Sequence, residues 1–208
     1  MLNTHSLRFQ YPGSTDFHFP DLRCAAGETL LILGNSGSGK TTLLNLMALL
    51  LSPSSGEVNI DGVNTGTLAP SELPTFRARH IGLVFQKPYF VHSLNVEENL
   101  LMSNYFAGKP QDKARVKHLA DHLGFAHVLK KRVTELSGGE QQRVGIARAL
   151  MNEAKVILAD EPTSALDDLN CERVANLLEV QAKESGAALI VVTHDQRLKN
   201  RFPNQISL

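Results

Sequence analysis

The chain has 208 residues, with 21 Lys plus Arg against 21 Asp plus Glu and a formal net charge of zero. That length suffices for one large domain, or a core carrying a subdomain, without disulfide or metal staples. The charge balance excludes the basic footprint of a general nucleic-acid binder, so no nucleic acid is expected as a partner.

Two cysteines, Cys24 and Cys171, stand far apart in no metal or redox spacing and read as free thiols of a reducing compartment. No signal-peptide pattern precedes the first strand, and the most apolar run, Leu43 to Leu51, falls well short of the roughly 20 residues a bilayer demands. A cytoplasmic chain is expected, with any membrane association supplied by a partner.

Residues 1–28 read as short strands, alternating through Leu7–Tyr11 and Phe17–Phe19 and broken at Pro12-Gly13 and Ala26-Gly27. An apolar strand, Thr29–Leu33, then meets GNSGSGKTT at Gly34–Thr42, which fits G-x-x-x-x-G-K-[ST], and an apolar helix through Leu51. Glycines 34, 37 and 39 let backbone N–H groups approach a polyphosphate, and the helix N-terminus adds unpaired donors and positive dipole. Asn35, Ser36, Gly37, Ser38, Gly39, Lys40, Thr41 and Thr42 form the candidate cradle, with Lys40 reaching β/γ oxygens and Thr41 ligating Mg²⁺. Tyr11 is a candidate to cover a nucleotide base, with Phe9 a rival on the same face.

Beyond the helix, Pro53–Gly56 makes a turn and Glu57–Ile60 a strand with a tight-turn signal at Asp61-Gly62, joining the N-terminal strands in a small antiparallel sheet. Leu68–His80, punctuated by Pro70 and Pro74, is a short helix or a loop. Ile81–Phe85 is a buried strand ending in Gln86, and Lys87-Pro88 breaks it. From Pro88 to Arg132 the pattern is helical: Val96 opens one helix, and Gln111–Leu123 places Val116, Leu119, Ala120 and Leu123 on one face before Gly124 closes it. His118 and His122 lie one turn apart, yet no third ligand accompanies them, which favours plain surface histidines over a metal pair. Lys109–Arg132 carries seven basic against two acidic residues, suited to an acidic partner, anionic lipid or, the favoured reading, a solvated helix face. Ala159–Glu184 carries the opposite excess, seven acidic against two basic.

Ser137 and Glu140 form a capping box for a helix to about Met151. Gly138 and Gly139 in its first turn cost roughly 1 kcal/mol each relative to Ala, which is explained if a phosphate approaches the backbone there. Val156–Ala159 is an apolar strand ending in Asp160-Glu161-Pro162, at the sheet edge where open α/β folds bind ligands. Asp160 is placed to hold Mg²⁺ through water and Glu161 to take a proton from an attacking water. A helix from about Leu169 to Glu184 leads to the last buried strand, Leu189–Thr193, after which His194 faces the same edge and can hydrogen-bond a γ-phosphate.

GNSGSGKTT, Gln86, LSGGEQQR at Leu136–Arg143, VILADEP at Val156–Pro162, Ser164–Asp167 and His194 together resemble the nucleotide-binding subunit of an ABC transporter over nearly the whole chain. The resemblance implies an α/β P-loop NTPase core with a mainly parallel sheet, a small antiparallel β subdomain and an inserted helical subdomain. Residues 1–87 and 133–208 would form the core, and about 88–132 the helical subdomain, whose groove would receive a permease's coupling helix. It makes the chain an ATPase using ATP and Mg²⁺, pairing head to tail with a second copy and bound peripherally to the inner face of the membrane through permease subunits. Tyr11 becomes the aromatic on adenine, Gln86 a sensor of Mg²⁺ and attacking water, Asp167 part of a loop crossing the dimer, and His194 the switch histidine. Ser137, Gly138 and Gly139 of one copy close over the γ-phosphate held by Lys40 of the other.

Within the family, Leu68–Gln86 and Leu158–Pro162 are similar to the lipoprotein-release, macrolide-export and cell-division group. Ser164-Ala165 departs from that group's Gly-Asn and is closer to polar amino-acid importers, which leaves an importer ATPase or a soluble ABC-type switch as alternatives. Only 14 residues follow His194, so the regulatory C-terminal domain of sugar-import ATPases is not expected.

Overall fold

The structure is a computed structural model that describes residues 1–13, 16–35, 37–163 and 166–208. The chain opens with β1 (Leu2–Gln10), against which β2 (Asp16–His18) and β3 (Leu22–Cys24) pair antiparallel. β4 (Thr29–Leu33) leads through the glycine loop into α1 (Lys40–Met47). β5 (Ser55–Ile60) returns to pair with β1, and β6 (Val63–Asn64) folds back on it through Asp61 and Gly62, both at positive φ as a two-residue hairpin requires. α2 (Leu73–His80), β7 (Ile81–Val84), α3 (Val96–Phe106), α4 (Lys113–His122) and α5 (Gly138–Ala149) follow. The chain ends with β8 (Val156–Asp160), α6 (Asp168–Ser185), β9 (Ala188–Val192), α7 (Gln196–Lys199) and β10 (Gln205–Ser207).

Two sheets result. The second is fully parallel in the order β10-β4-β9-β8-β7, with Ile32 beside Val192, Asp160 beside Val192, and Val84 beside Ala159. Apart from the short edge strand β10, its strands are apolar on both faces, as a sheet covered on both sides requires. Alternate residues serve two different cores. Leu30, Ile32, Val156, Leu158, Ala188, Ile190 and Val192 pack with α1 and the antiparallel sheet. Leu31, Ile157, Ala159, Leu189 and Val191 pack with residues of α3, α4, α5 and α6. α1 therefore lies between two sheets, with Leu43, Leu44, Leu46 and Met47 buried.

Local chemistry sets the boundaries. Asn95 with Glu98 and Ser137 with Glu140 make capping boxes for α3 and α5, while Asp112 and Asp167 cap α4 and α6. All four apolar residues expected inside on α4 are buried.

One expectation is corrected. The first helix stops at Met47 rather than Leu51, because Leu49 adopts a left-handed φ of 58° and the N–H groups of Leu50 and Leu51 both turn back to Asn45 O. The last buried strand, expected at Leu189–Thr193, runs over Ala188–Val192, and after it the largely exposed β10 adds beside β4 at the sheet's edge. Three residues are too few to announce themselves by alternation. In the Leu68–His80 segment, which follows a 3₁₀ turn at Thr65–Thr67, the helix α2 covers Leu73–His80.

Gly82 is where β7 meets α5: an added Cβ would collide with the carbonyl oxygen of Ala149, a backbone atom that cannot swing aside. Gly82→Ala is expected to cost about 1–3 kcal/mol of stability, read as a lowered midpoint in urea unfolding.

Candidate active site

At the carboxyl ends of β4, β7, β8 and β9 lies a cleft of about 630 Å³, lined by Phe17, Gly34, Asn35, Gly37, Gly39, Lys40, Thr41, Thr42, Gln86, Asp160, Glu161 and His194. The parallel register produces it, because it stops each strand at one level and sends the following residues to the same edge.

The loop after β4 is built for close approach. Gly39 caps α1 at φ 93°, and a Cβ there would stand 2.9 Å from the Phe17 ring, so a side chain is excluded twice over. Lys40 Nζ donates to Gly34 O and Asn35 O at 2.8 and 2.9 Å, which folds the ammonium over the loop. Ser38 Oγ is buried without a hydrogen-bond partner among the described residues. Thr41 Oγ1 donates to Asp160 Oδ2 at 3.3 Å, bringing a hydroxyl and a carboxylate from distant segments together. Burial raises the Asp160 pKa; the Thr41 bond opposes that, the Glu161 charge adds to it, and Lys40 pulls it back. Loop N–H groups, an ammonium, an orphaned hydroxyl and a hydroxyl–carboxylate pair are the donor set that a polyphosphate with Mg²⁺ needs, and these residues fit it.

Glu161 is the strained residue of the site, at φ 47° and only 8% exposed. A left-handed non-glycine residue costs about 1–3 kcal/mol and persists only where its surroundings determine it. They do so here. Glu161 N donates to Val192 O at 2.8 Å. Its Oε2 accepts from Thr193 Oγ1 at 2.8 Å, its Oε1 accepts from His194 N at 3.2 Å, and His194 Nδ1 lies 2.6 Å from Oε1. Thr193 is wholly buried, whereas the His194 side chain is 71% exposed. Gln86, also exposed, lines the cleft from the end of β7.

Other candidates sit outside this lining. Tyr11 sends its hydroxyl to within 3.3 Å of Thr42 Oγ1 but stands behind Phe17, edge-on at 6.4 Å between ring centroids. Phe17 itself was not singled out by sequence; its signal is that it pairs with Phe9 across β1 and β2 and stacks on Phe19 at 5.9 Å, but only the tertiary fold sets it against Gly39. Ser137, Gly138 and Gly139 stand at the N-terminus of α5. Ser137 Oγ accepts from Glu140 N at 3.3 Å, and Glu140 Oε2 accepts from Ser137 N at 2.8 Å and from Ser137 Oγ at 2.7 Å. Among the described residues, leaving aside chain neighbours and the helix's own backbone, nothing lies within 4 Å of a Cβ built on Gly138, and the Arg143 guanidinium, at 3.5 Å, nears one on Gly139. Packing among the described residues does not call for either glycine. Asp167 is exposed and caps α6, accepting from Asn170 N and Nδ2 at 2.8 and 2.9 Å. Ser36, Ser164 and Ala165 lie outside the described residues.

The His118 and His122 rings lie 4.1 Å apart, tilted by 43°, and no group of three His, Cys, Asp or Glu suited to a metal occurs among the described residues. Of the basic block, Lys109 donates to Asn152 O, Arg115 to Gln181 and Leu150 O, and Lys130 pairs with Glu97. No helix among the described residues is long and apolar enough to cross a membrane.

A family model described as ABC transporter matches residues 18–164. The chain is 42% identical to the lipoprotein-releasing system ATP-binding protein LolD of Bacteroides fragilis (strain YCH46), over 86% of this chain and 83% of that protein. It is 40% identical to the macrolide export ATP-binding/permease protein MacB 1 of Aeromonas hydrophila subsp. hydrophila, over 90% of this chain and 29% of that longer protein. Among solved structures it resembles the dimeric post-hydrolysis state of the ATP-binding cassette MJ0796 bound to ADP and Pi. The TM-score is 0.90 at 33% identity, covering 100% of this chain and 94% of that one.

Thr193 is the pivot of the buried end of the site. Thr193→Val removes one hydroxyl at constant volume and leaves the Glu161 carboxylate short of a buried donor. It is expected to lower stability by about 1–3 kcal/mol in chemical unfolding.

Proposed function

The chain belongs to the ABC transporter family as an ATP-binding domain, an ATPase, and we propose that two copies pair head to tail around two ATP-Mg²⁺ and drive a separate membrane permease. The permease is of the mechanical-transmission type that serves lipoprotein release and macrolide export. One observation supports this reading: the cleft holds the phosphate loop, the Thr41–Asp160 pair and the Glu161–His194 pair, while the glycines of α5 lie outside it with open space over them among the described residues. The cleft lacks a wall that a second copy's α5 N-terminus supplies. Two solved structures of MJ0796, which this chain resembles, are of dimeric cassettes.

In this reading the residues take the following roles. Lys40 and the loop N–H groups hold the β- and γ-phosphates, with Ser38 Oγ as a further donor. Thr41 and Asp160 hold Mg²⁺, with Gln86 beside them. When bound, Mg²⁺ supplies charge neutralisation on the phosphate oxygens. A water attacks the γ-phosphorus in line, its proton passes to Glu161, the bond from the γ-phosphorus to the β–γ bridging oxygen breaks, and ADP departs with that oxygen. Thr193 and the His194 backbone fix the carboxylate for this step, and the exposed His194 ring, its Nδ1 against Glu161, has Nε2 left to reach the γ-phosphate. Phe17 and Tyr11 form the aromatic wall on the base side.

Residues 1–87 and 133–208 act as the nucleotide-binding core and about 88–132 as the helical subdomain. A groove of about 260 Å³ beside β7, lined among others by Leu83, Phe85, Val91, Met102 and Phe106, is the permease's docking place. Tyr89, Tyr105 and Phe106 stand well exposed nearby, at 71, 72 and 59%. Docking there places the chain at the inner face of the membrane.

Glu161→Gln is expected to bind ATP-Mg²⁺, lose at least about a hundredfold in turnover and accumulate as a dimer in size-exclusion chromatography. Full turnover removes Glu161 as the base. The same tagged variant, captured in ATP from detergent-solubilised membranes of its native host, is expected to retain a few-span permease with a large extracytoplasmic domain. A compact importer permease in its place supports solute uptake, and no membrane protein at all supports a soluble switch. Ser137→Arg is expected to leave ATP binding by the isolated chain intact while abolishing hydrolysis; unchanged hydrolysis sinks the shared-site reading.

A further inference from the structure

α7 contributes one side chain that touches both segments flanking the Glu161–His194 pair. Arg197 forks onto Asp195, with Nε donating to Oδ1 at 3.0 Å and Nη2 to Oδ2 at 2.8 Å. Its remaining N–H groups reach across to the segment after β8: Nη2 to Thr163 O at 3.3 Å, and Nη1 to Leu166 O at 3.2 Å and Asp168 Oδ1 at 2.8 Å. Thr163 answers in the other direction, its Oγ1 donating to Asp195 Oδ2 at 2.8 Å.

The network runs on into the active site. Asp195 N donates to Thr193 Oγ1 at 3.0 Å, and Thr193 Oγ1 donates to Glu161 Oε2 at 2.8 Å. Asp195 directly follows His194, and Thr163 lies two residues beyond Glu161. Only a planar guanidinium has enough fixed donors to serve a carboxylate by a fork and two carbonyls besides; an ammonium cannot. The arms are unequal. Asp168 is 92% exposed, so that pair is worth little, whereas the Asp195 carboxylate is 11% exposed. The Arg197 fork holds the Asp195 pKa down to about 2, so the clamp keeps its charge throughout the neutral range.

We infer that Arg197 is a positioning residue for hydrolysis, pinning Thr163 and Leu166 to Asp195 so that Glu161 and His194 are held as one unit. The inference rests on the reading of Glu161 as the base. Arg197 contacts no cleft-lining group itself and acts through Asp195 and Thr193.

The test is steady-state ATPase kinetics of the full chain with Mg²⁺, alongside its melting midpoint. Arg197→Gln is expected to lower kcat by roughly tenfold or more, the scale of a small misplacement of reacting groups, with KM for ATP held within about twofold. Arg197→Lys keeps the charge without the fork and is expected to stay as slow as Arg197→Gln. In a Glu161→Gln background, Arg197→Gln is expected to slow the residual rate far less than it slows the wild type, because the base it positions is already gone and only His194 remains. Wild-type kcat in Arg197→Gln overturns the inference. So does a parallel loss of kcat, ATP affinity and melting midpoint, which marks a purely structural role, and so does full rescue by Lys. Full turnover in Glu161→Gln alone overturns the base and this inference with it, whereas an inactive Glu161→Gln beside a fully active Arg197→Gln overturns the positioning role only.

Discussion

Strand register in the parallel sheet is the constraint on which the rest depends. Because Ile32, Asp160 and Val192 stand level across β4, β8 and β9, three segments far apart in sequence turn outward at one height. The phosphate loop, the acidic pair and His194 are simply what comes next along each strand. A slip of one residue would exchange the two apolar faces of a strand and move its terminal group off the edge at once. Packing on two sides, with Leu30 and Ile32 serving one core and Leu31 the other, is what forbids that slip.

Much of this was legible because it is local. A glycine loop between an apolar strand and an apolar helix, a capping box at Ser137 and Glu140, and acidic residues at the end of VILA each announce themselves within about ten residues. The combination was specific enough to name the family. What escaped is non-local or too short. β10 is three residues held by pairing with β4. Phe17 matters only because β2 folds back to lean on Gly39. The early end of α1 depends on one left-handed leucine in a run that is apolar throughout. The grip of Thr193 on Glu161 spans 32 positions and exists only once β8 and β9 are neighbours.

The site also shows how cost and constraint are balanced. Glu161 occupies a backbone conformation that disfavours it, and its carboxylate is nearly buried. The hydroxyl of Thr193, the N–H of His194 and the carbonyl of Val192 together offset both penalties. Such a residue has one orientation rather than several, which suits a group that must meet a proton at a fixed place. His194 differs: its backbone is fixed and its ring is open to solvent, so it can answer to something arriving from outside.

α1 has a further consequence. Wedged between two sheets, it rests on neighbours above and below, and each of its four buried Leu and Met side chains contributes about 1.5–3 kcal/mol by its removal from water. A helix gripped on both sides cannot tilt without opening two interfaces together. The phosphate-holding end is therefore the anvil of this molecule. Any shape change that accompanies turnover has to be taken up by the outer helices on the far side of the parallel sheet, which lean on a single core.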